Sequence, residues 1–221
     1  ARKLAHEIKN PLTPIQLTID RLKNKYSTQL NQKNSENFKE NLKIINYQIK
    51  QIEKLVNEFS DFARMPKPIF RQNNIIDIME DNIKLLNELD KTIEINFVKK
   101  SQQILLQSDK EQISRVFLNL IKNSIESINQ RSQNDSNFNK KITIEVNEDN
   151  SHINVIIKDN GVGFSNLKES IKNILNPYFT TKKNGTGLGL SIVNKIVNDH
   201  NGNIEFMPVE YGAKIKINFV K

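Results

Sequence analysis

The residues with most to offer chemically are two glycine clusters, each beside polar groups of its own. Of the seven glycines in the chain, five (Gly161, Gly163, Gly185, Gly187 and Gly189) fall between positions 161 and 189. A chain that avoids glycine elsewhere and gathers it here needs unusual backbone geometry, or close approach of a ligand to the backbone, at this place. The first cluster, Asp159-Asn160-Gly161-Val162-Gly163, closes a segment of alternating apolar residues. A carboxylate fixed at a strand end can accept a hydrogen bond from an exocyclic amine, while the glycines admit a flat ring to the backbone. An ordinary Asn-Gly hairpin turn has the same composition. The second cluster, Gly185-Thr186-Gly187-Leu188-Gly189-Leu190, opens an apolar helical segment. Glycines at a helix N-terminus expose N–H groups and the positive end of the helix dipole to phosphate. It is not a dinucleotide fingerprint: the third glycine of GxGxxG would fall at Leu190, and the preceding NPYFTTKKN is no strand. No GxxxxGK[ST] occurs.

Three further groups stand out. Asn119 and Asn123 are spaced i, i+4 in an otherwise apolar stretch, so they share a helix face. Buried amides without partners are costly; they read either as solvent-facing or as oxygen ligands for Mg²⁺, which takes few protein ligands and shares them with substrate phosphates. Pro177-Tyr178-Phe179-Thr180-Thr181-Lys182 lies in the long connection between the glycine clusters, where a lid is expected. Lys182 there is available to neutralise phosphate. Near the start, His6 lies two residues before the apolar position Ile8 and so points away from the apolar seam. Glu7 beside it can hold the imidazole in one tautomer and accept its proton.

These groups need elements to position them. Ile8, Leu12, Ile15, Ile19 and Leu22 recur at alternating steps of four and three, the spacing of a packed helical seam over 2–26. Pro11 and Pro14 interrupt this helix and are expected to bend it. A polar loop follows, then a second helix from about 35 to 63, with Phe38, Leu42, Ile45, Ile49, Ile52, Val56 and Phe59 in the same rhythm. Ile44, Leu55 and Phe62 widen its apolar face beyond a two-helix seam. Two antiparallel hairpins pairing into a four-helix bundle, a homodimer, would bury it. Met65-Pro66-Lys67-Pro68 ends the helix and divides the chain into 1–65 and 69–221. Beyond it the period changes to two: Ile93/Ile95/Phe97, Ile142/Ile144/Val146, Ile153/Val155/Ile157 and Ile215/Ile217/Phe219. Amphipathic segments at 75–88, 109–129 and 188–199 lie between them. Helices on one face of a mixed sheet make a two-layer α/β sandwich.

Composition removes several function classes. With no Cys there is no disulfide framework and no Cys-ligated zinc or iron–sulfur site. The three His are scattered without HExxH spacing, against a preformed zinc site. No apolar run approaches the ~18–20 residues of a membrane span, and no signal peptide is present. The opening on a polar, helix-like segment without Met reads as a piece of a longer chain. The net charge of +8 would suit a nucleic-acid partner. Lys is spread along the whole chain, however, and stands with 32 Asn. That balance reads as the coding bias of an AT-rich genome, and no nucleic-acid partner is expected.

Taken together, these motifs resemble those of sensor histidine kinases. HEIKNPLTP at 6–14 resembles their H box, NLIKN at 119–123 their N box, DNGVGF at 159–164 their G1 box, PYFTTK at 177–182 their F box and GTGLGLSIV at 185–193 their G2 box. The motifs stand in the family's order over essentially the whole chain, and AHEIKNPLTPIQ is most similar to the nitrogen-regulation, NtrY-like subgroup. The resemblance implies an α+β protein of two domains: a dimerisation and histidine-phosphotransfer bundle, then a Bergerat-type ATP-binding domain. It implies that His6 is the phosphoacceptor, Glu7 its acid/base neighbour and Asn10 the position linked to dephosphorylating the partner. Asn123 would bind Mg²⁺ with Asn119 beside it, and Asp159 would read the adenine amine over Gly161 and Gly163. Gly185, Gly187 and Gly189 would carry the lid end and the phosphates, among Thr186, Leu188 and Leu190. Many members have a basic residue three positions after the Mg²⁺ Asn; here it is Glu126, which leaves Lys182 as the substitute.

The resulting expectation is a kinase core that moves the γ-phosphoryl of Mg·ATP to His6 and then to an Asp of a response regulator. It would be a cytoplasmic part of an inner-membrane sensor, with no membrane contact of its own. The rival reading is an ATP-driven clamp or chaperone-type ATPase with the same nucleotide pocket. It has no use for a His beside a carboxylate on a seam helix.

Overall fold

The computed structural model describes residues 2–26, 32–133, 135, 138–164, 173–182 and 185–221; for 2–6, 32, 33 and 89 it describes the backbone alone. The described chain divides into two compact units, one of Ala1–Pro66 with Thr181–Leu188 and one of Lys67–Thr180 with Gly189–Lys221.

In the first unit, α1 (Arg2–Tyr26) and α2 (Gln32–Ala63) pack against each other. Pro11 and Pro14 lie inside α1 without ending it, and the Thr18 hydroxyl donates to the Pro14 carbonyl at 2.8 Å. Leu12 and Ile19 bury against Leu42 and Ile49, with Phe38 packed on them, and Tyr26 meets Phe38 edge-on at 6.3 Å. The sequence rhythm is thus split in two. Every second seam residue is buried inside the hairpin, whereas Ile15, Leu22, Ile45 and Ile52 are exposed together with Ile44 and Leu55.

The second unit holds β1 (Arg71–Asn74), α3 (Ile75–Leu89), β2 (Glu94–Lys99), β3 (Leu105–Ser108), α4 (Lys110–Ser132), β4 (Lys141–Glu148), β5 (His152–Asp159), α5 (Gly189–Asp199), β6 (Asn203–Met207) and β7 (Lys214–Val220). The main sheet runs β2-β4-β5-β7-β6. β2 is parallel to β4, while β4–β5, β5–β7 and β6–β7 are antiparallel, so the sheet is mixed as expected. The alternation decides its faces. Ile142, Ile144, Val146, Ile153, Val155, Ile157, Ile215, Ile217 and Phe219 are buried, and their neighbours point the other way. The helices supply the covering layer: α4 packs against β4 and β5 and is flanked by α3 and α5. Fully burying side chains such as Phe117, Ile121 or Phe219 contributes about 1.5–3 kcal/mol each.

β1, β3 and β6 were not legible in the sequence. β1 and β3 form a separate antiparallel ribbon of four residues each, Arg-Gln-Asn-Asn against Leu-Leu-Gln-Ser. The first has no apolar alternation to read. Asn74 then caps α3 by accepting the Ile76 N–H at 3.3 Å, and Asp109 caps α4. Among the described residues no helix is long and apolar enough to cross a membrane.

Candidate functional site

α4 is the spine of the site. Asn119, Asn123, Ser127 and Arg131 follow one another at steps of four, so they line one face about 6 Å apart. Asn119 donates to the Arg115 carbonyl at 2.9 Å, which orients its amide. Gly189, the first residue of α5, stands against this amide pair. A Cβ placed on Gly189 would lie 3.4 Å from Asn119 Oδ1 and 4.0 Å from Asn123 Nδ2. The sequence-predicted Asn119, Asn123 and Gly189 are therefore brought together at one end of the stripe.

The Asp159–Gly163 turn lies on the next part of the stripe. The Ser127 hydroxyl accepts the Gly163 N–H at 3.3 Å, and the Ser127 carbonyl accepts the Val162 N–H at 3.4 Å. Arg131 donates to the Asn160 carbonyl at 2.7 Å. A Cβ on Gly161 would stand 2.3 Å from Ser127 Oγ and 2.7 Å from the Ile128 nitrogen. Glycine is thus required there by close approach of two backbones. Asn160 is a structural tie: its side chain accepts the Lys141 N–H at 3.0 Å and donates to the Asn139 carbonyl at 2.6 Å.

Asp159 is buried, 4% exposed. Its Oδ1 accepts the Gly161 N–H at 2.9 Å and the Ala213 N–H at 3.2 Å, which holds the carboxylate in one orientation. Behind it Gly212 has φ +78°, and a Cβ there would lie 1.9 Å from the Asp159 carbonyl oxygen. A Cβ on Gly163, itself at φ +66°, would lie 1.9 Å from the Gly212 carbonyl oxygen. Two turns far apart in sequence are stacked with no room for a side chain between them.

Ser127, Gly212 and Ala213 are the participants that the sequence reading missed. The signal for Ser127 was present, since it continues the four-residue step from Asn119 and Asn123. Gly212 was one of only two glycines outside the clusters.

The other predicted positions are placed as follows. Leu190 is half-buried on α5. Tyr178 has φ +68°; it lies in a turn closed by Phe179 N–H to Asn176 O at 3.3 Å, after one closed by Asn176 N–H to Asn173 O at 2.9 Å. Lys182 accepts the Gly185 N–H on its carbonyl at 3.1 Å. Gly187 has φ +71°. Within the first unit, the Thr186 hydroxyl accepts the Leu188 N–H at 3.4 Å and donates to the Glu58 carboxylate on α2. His6 lies on α1, and its side chain is outside the described residues; Glu7 and Asn10 are exposed on the same helix. Glu126 is exposed on α4.

Chemically, the second unit offers a fixed carboxylate beside backbone that a flat ring can approach, and one to two helical turns along α4 a pair of amide side chains at a helix N-terminus. Amide oxygens suit a hard cation that also binds phosphate, and the Gly189 end of α5 suits the phosphate itself. These residues fit Mg²⁺ held jointly with a nucleotide.

Two family models match the chain. Residues 108–220 match the histidine kinase-, DNA gyrase B- and HSP90-like ATPases, and residues 1–68 match the His kinase A (phospho-acceptor) domain. The chain is 36% identical over 220 residues to nitrogen regulation protein NtrY of Azorhizobium caulinodans, covering 98% of this chain and 28% of that protein. It is 37% identical to a putative sensor histidine kinase NtrY-like of Rickettsia conorii, covering 99% of this chain and 35% of that protein. The chain thus spans about a third of the length of these curated relatives. Among solved structures, the histidine kinase ThkA in complex with the response regulator protein TrrA superposes with a TM-score of 0.69 at 25% identity, covering 100% of this chain and 60% of that one.

Proposed function

The chain belongs to the sensor histidine kinases, in the NtrY-like subgroup, and on that premise we propose that it phosphorylates its own His6 from Mg·ATP and passes the phosphoryl group to an Asp of a response regulator. The observation that carries this reading is the polar stripe of α4. It joins Asn119, Asn123 and Gly189 at one end to the Asp159 turn at the other, at a spacing that suits a nucleotide.

Each residue has a task in this reading. Asp159, held by the Gly161 and Ala213 N–H groups, accepts the adenine amine, and Gly161 and Gly163 let the ring lie against backbone. Gly185, Thr186, Gly187, Leu188, Gly189 and Leu190 wrap the phosphates, and Lys182 neutralises them where Glu126 cannot. Mg²⁺, held by the Asn123 oxygen with Asn119 beside it, would neutralise charge on the phosphates. Phosphoryl transfer is largely such positioning and charge neutralisation. The His6 imidazole forms the N–P bond as the bond from phosphorus to the leaving ADP oxygen breaks. Glu7 holds the ring in the attacking tautomer and takes the proton from its other nitrogen. In the second step the N–P bond breaks and an O–P bond forms on the regulator's carboxylate. Asn10 serves the separate dephosphorylating step, in which water attacks the regulator's aspartyl phosphate, the O–P bond to the carboxylate breaks and inorganic phosphate leaves.

The domain roles follow: 1–65 for dimerisation and phosphotransfer, 69–221 for ATP. The exposed Ile15, Leu22, Ile45 and Ile52 support a homodimer, since two hairpins meeting there complete a four-helix bundle. The longer protein is read as an inner-membrane sensor with this part in the cytoplasm.

Incubation with γ-labelled ATP and Mg²⁺ tests the reading. Acid-labile, base-stable label on the native chain, with none on His6→Ala or Asn123→Ala, is expected. ATP turnover without label on the protein would point to the clamp-type ATPase.

A further inference from the structure

The segment that follows the interdomain prolines is fastened to the helices of the ATP unit. Ile69, which directly follows Pro68, donates its N–H to Asp109 Oδ2 at 2.9 Å. The other oxygen of the same carboxylate, Oδ1, accepts the Glu111 and Gln112 N–H groups at 3.1 Å each, capping α4. The Asp109 N–H donates to His200 Nε2 at 3.0 Å. His200 is 4% exposed, and its Nδ1 meets the Ile196 carbonyl at 2.8 Å. The two ring nitrogens therefore have fixed roles: Nε2 accepts and Nδ1–H donates. Phe70 rests edge-on against the same imidazole, 5.1 Å between centroids.

Two residues thus tie together three things: the segment at 69–70 that leads out of the linker, the N-terminus of α4 and the C-terminus of α5. The far parts of these helices are the ones that matter to the site. α4 carries Asn119 and Asn123, and α5 begins at Gly189.

We propose that Asp109 and His200 are positioning residues that latch the interdomain linker to the two helices of the nucleotide site, so that the latch sets the rate of phosphoryl transfer rather than the affinity for ATP. The proposal rests on the kinase reading above. A free linker would let the ATP unit sample more orientations, lowering the fraction competent for transfer, while the Asp159 pocket is untouched.

The carboxylate's division of labour makes the test clean. Asp109→Asn keeps an oxygen for the α4 cap, where Asn is as good as Asp, but turns an N–H₂ toward the Ile69 N–H. Ile69→Pro removes the linker's donor and leaves Asp109 intact; the Ile69 side chain is 68% exposed, so little packing is lost. The Ile69 amide should be protected from hydrogen exchange in the native chain. In Asp109→Asn its protection should fall about tenfold or more, the scale of one lost charge-assisted hydrogen bond.

Both variants should lower the single-turnover rate of His6 phosphorylation at saturating ATP by about fivefold, less than the full worth of that bond. The ATP dissociation constant by calorimetry and the melting temperature should be nearly native. Restoring the charge as Asp109→Glu should recover part of the rate. Equal Ile69 exchange in native and Asp109→Asn chains would overturn the latch, as would unchanged rates in both variants. Rate, ATP affinity and melting temperature falling together would make the pair merely structural and also overturn it. If the native chain takes no label, the kinase reading has failed, and the Ile69 exchange decides the latch by itself.

Discussion

The carboxylate of Asp159 accepts the backbone N–H of Ala213 at 3.2 Å, from a residue 54 positions later in the chain. The Ala213 carbonyl in turn accepts the Asp159 N–H at 2.9 Å. The carboxylate is therefore held at the end of the β5–β7 pairing, and its direction is built in before any ligand arrives.

From this, Asp159→Asn is expected to keep the fold and lose the nucleotide. The amide oxygen still serves Gly161 and Ala213, but an N–H₂ takes the place of an acceptor. A buried mismatch of this type costs on the order of 1–3 kcal/mol, or about tenfold or more in ATP affinity by calorimetry. Native affinity in a folded variant would remove Asp159 from the pocket.

Gly212→Ala should be worse for the fold than for any single contact. The residue sits at φ +78°, and the new Cβ would meet backbone, the Asp159 carbonyl oxygen, at 1.9 Å. Left-handed backbone alone costs about 1–2 kcal/mol for a residue with a Cβ, and the clash adds to it. The melting temperature of the ATP unit should drop by several degrees and ATP binding should weaken with it. A variant with native melting and binding would contradict the stacked-turn geometry.

If the proposed homodimer forms through the exposed stripe, the hairpin should separate folding from dimerisation. Ile49 is 4% exposed and Ile52 44%, although both belong to one sequence rhythm. Ile49→Asp puts an unpaired charge inside the hairpin, a cost of about 3–5 kcal/mol, and should abolish its helical signal. Ile52→Asp should leave the helices intact while sedimentation of the full chain shifts to the monomer. A folded dimer carrying Ile52→Asp would mean that the exposed stripe is not the interface.

Acid stability should have an identifiable contribution from Asp90. The Thr92 hydroxyl donates to its Oδ1 at 2.6 Å and Asn129 to its Oδ2 at 3.1 Å. These bonds hold its pKa below the usual carboxylate value against the opposing effect of burial. A depressed folded pKa gives stability that is present above the unfolded value, about 3.9, and is lost as pH falls through the folded one. The melting-temperature gap between native and Asp90→Asn chains should therefore be largest near neutral pH and shrink below about pH 4. A gap independent of pH would show that Asp90 acts through packing alone.

What the sequence determined by itself was local. Steps of three and four marked α1, α2, α3, α4 and α5 because a helix must show one apolar face to a partner. Steps of two marked β2, β4, β5 and β7 because one sheet face is covered. Glycine clustering and the i, i+4 amides marked the site because those backbone and side-chain requirements are met within a few residues. The tertiary structure decided what depends on neighbours distant in sequence. Leu12 and Ile15 are equally apolar, and only the packing of α1 on α2 buries the first and exposes the second. β1 becomes a strand because β3 pairs with it, since Arg-Gln-Asn-Asn carries no pattern of its own. Gly212 and Ala213 enter the site because the sheet order brings β7 beside β5, Ser127 because α4 packs against β5, and His200 reaches Asp109 across 91 positions. A hydrogen bond between such residues leaves no periodic trace, because its partner is set by the order of strands rather than by the step along the chain.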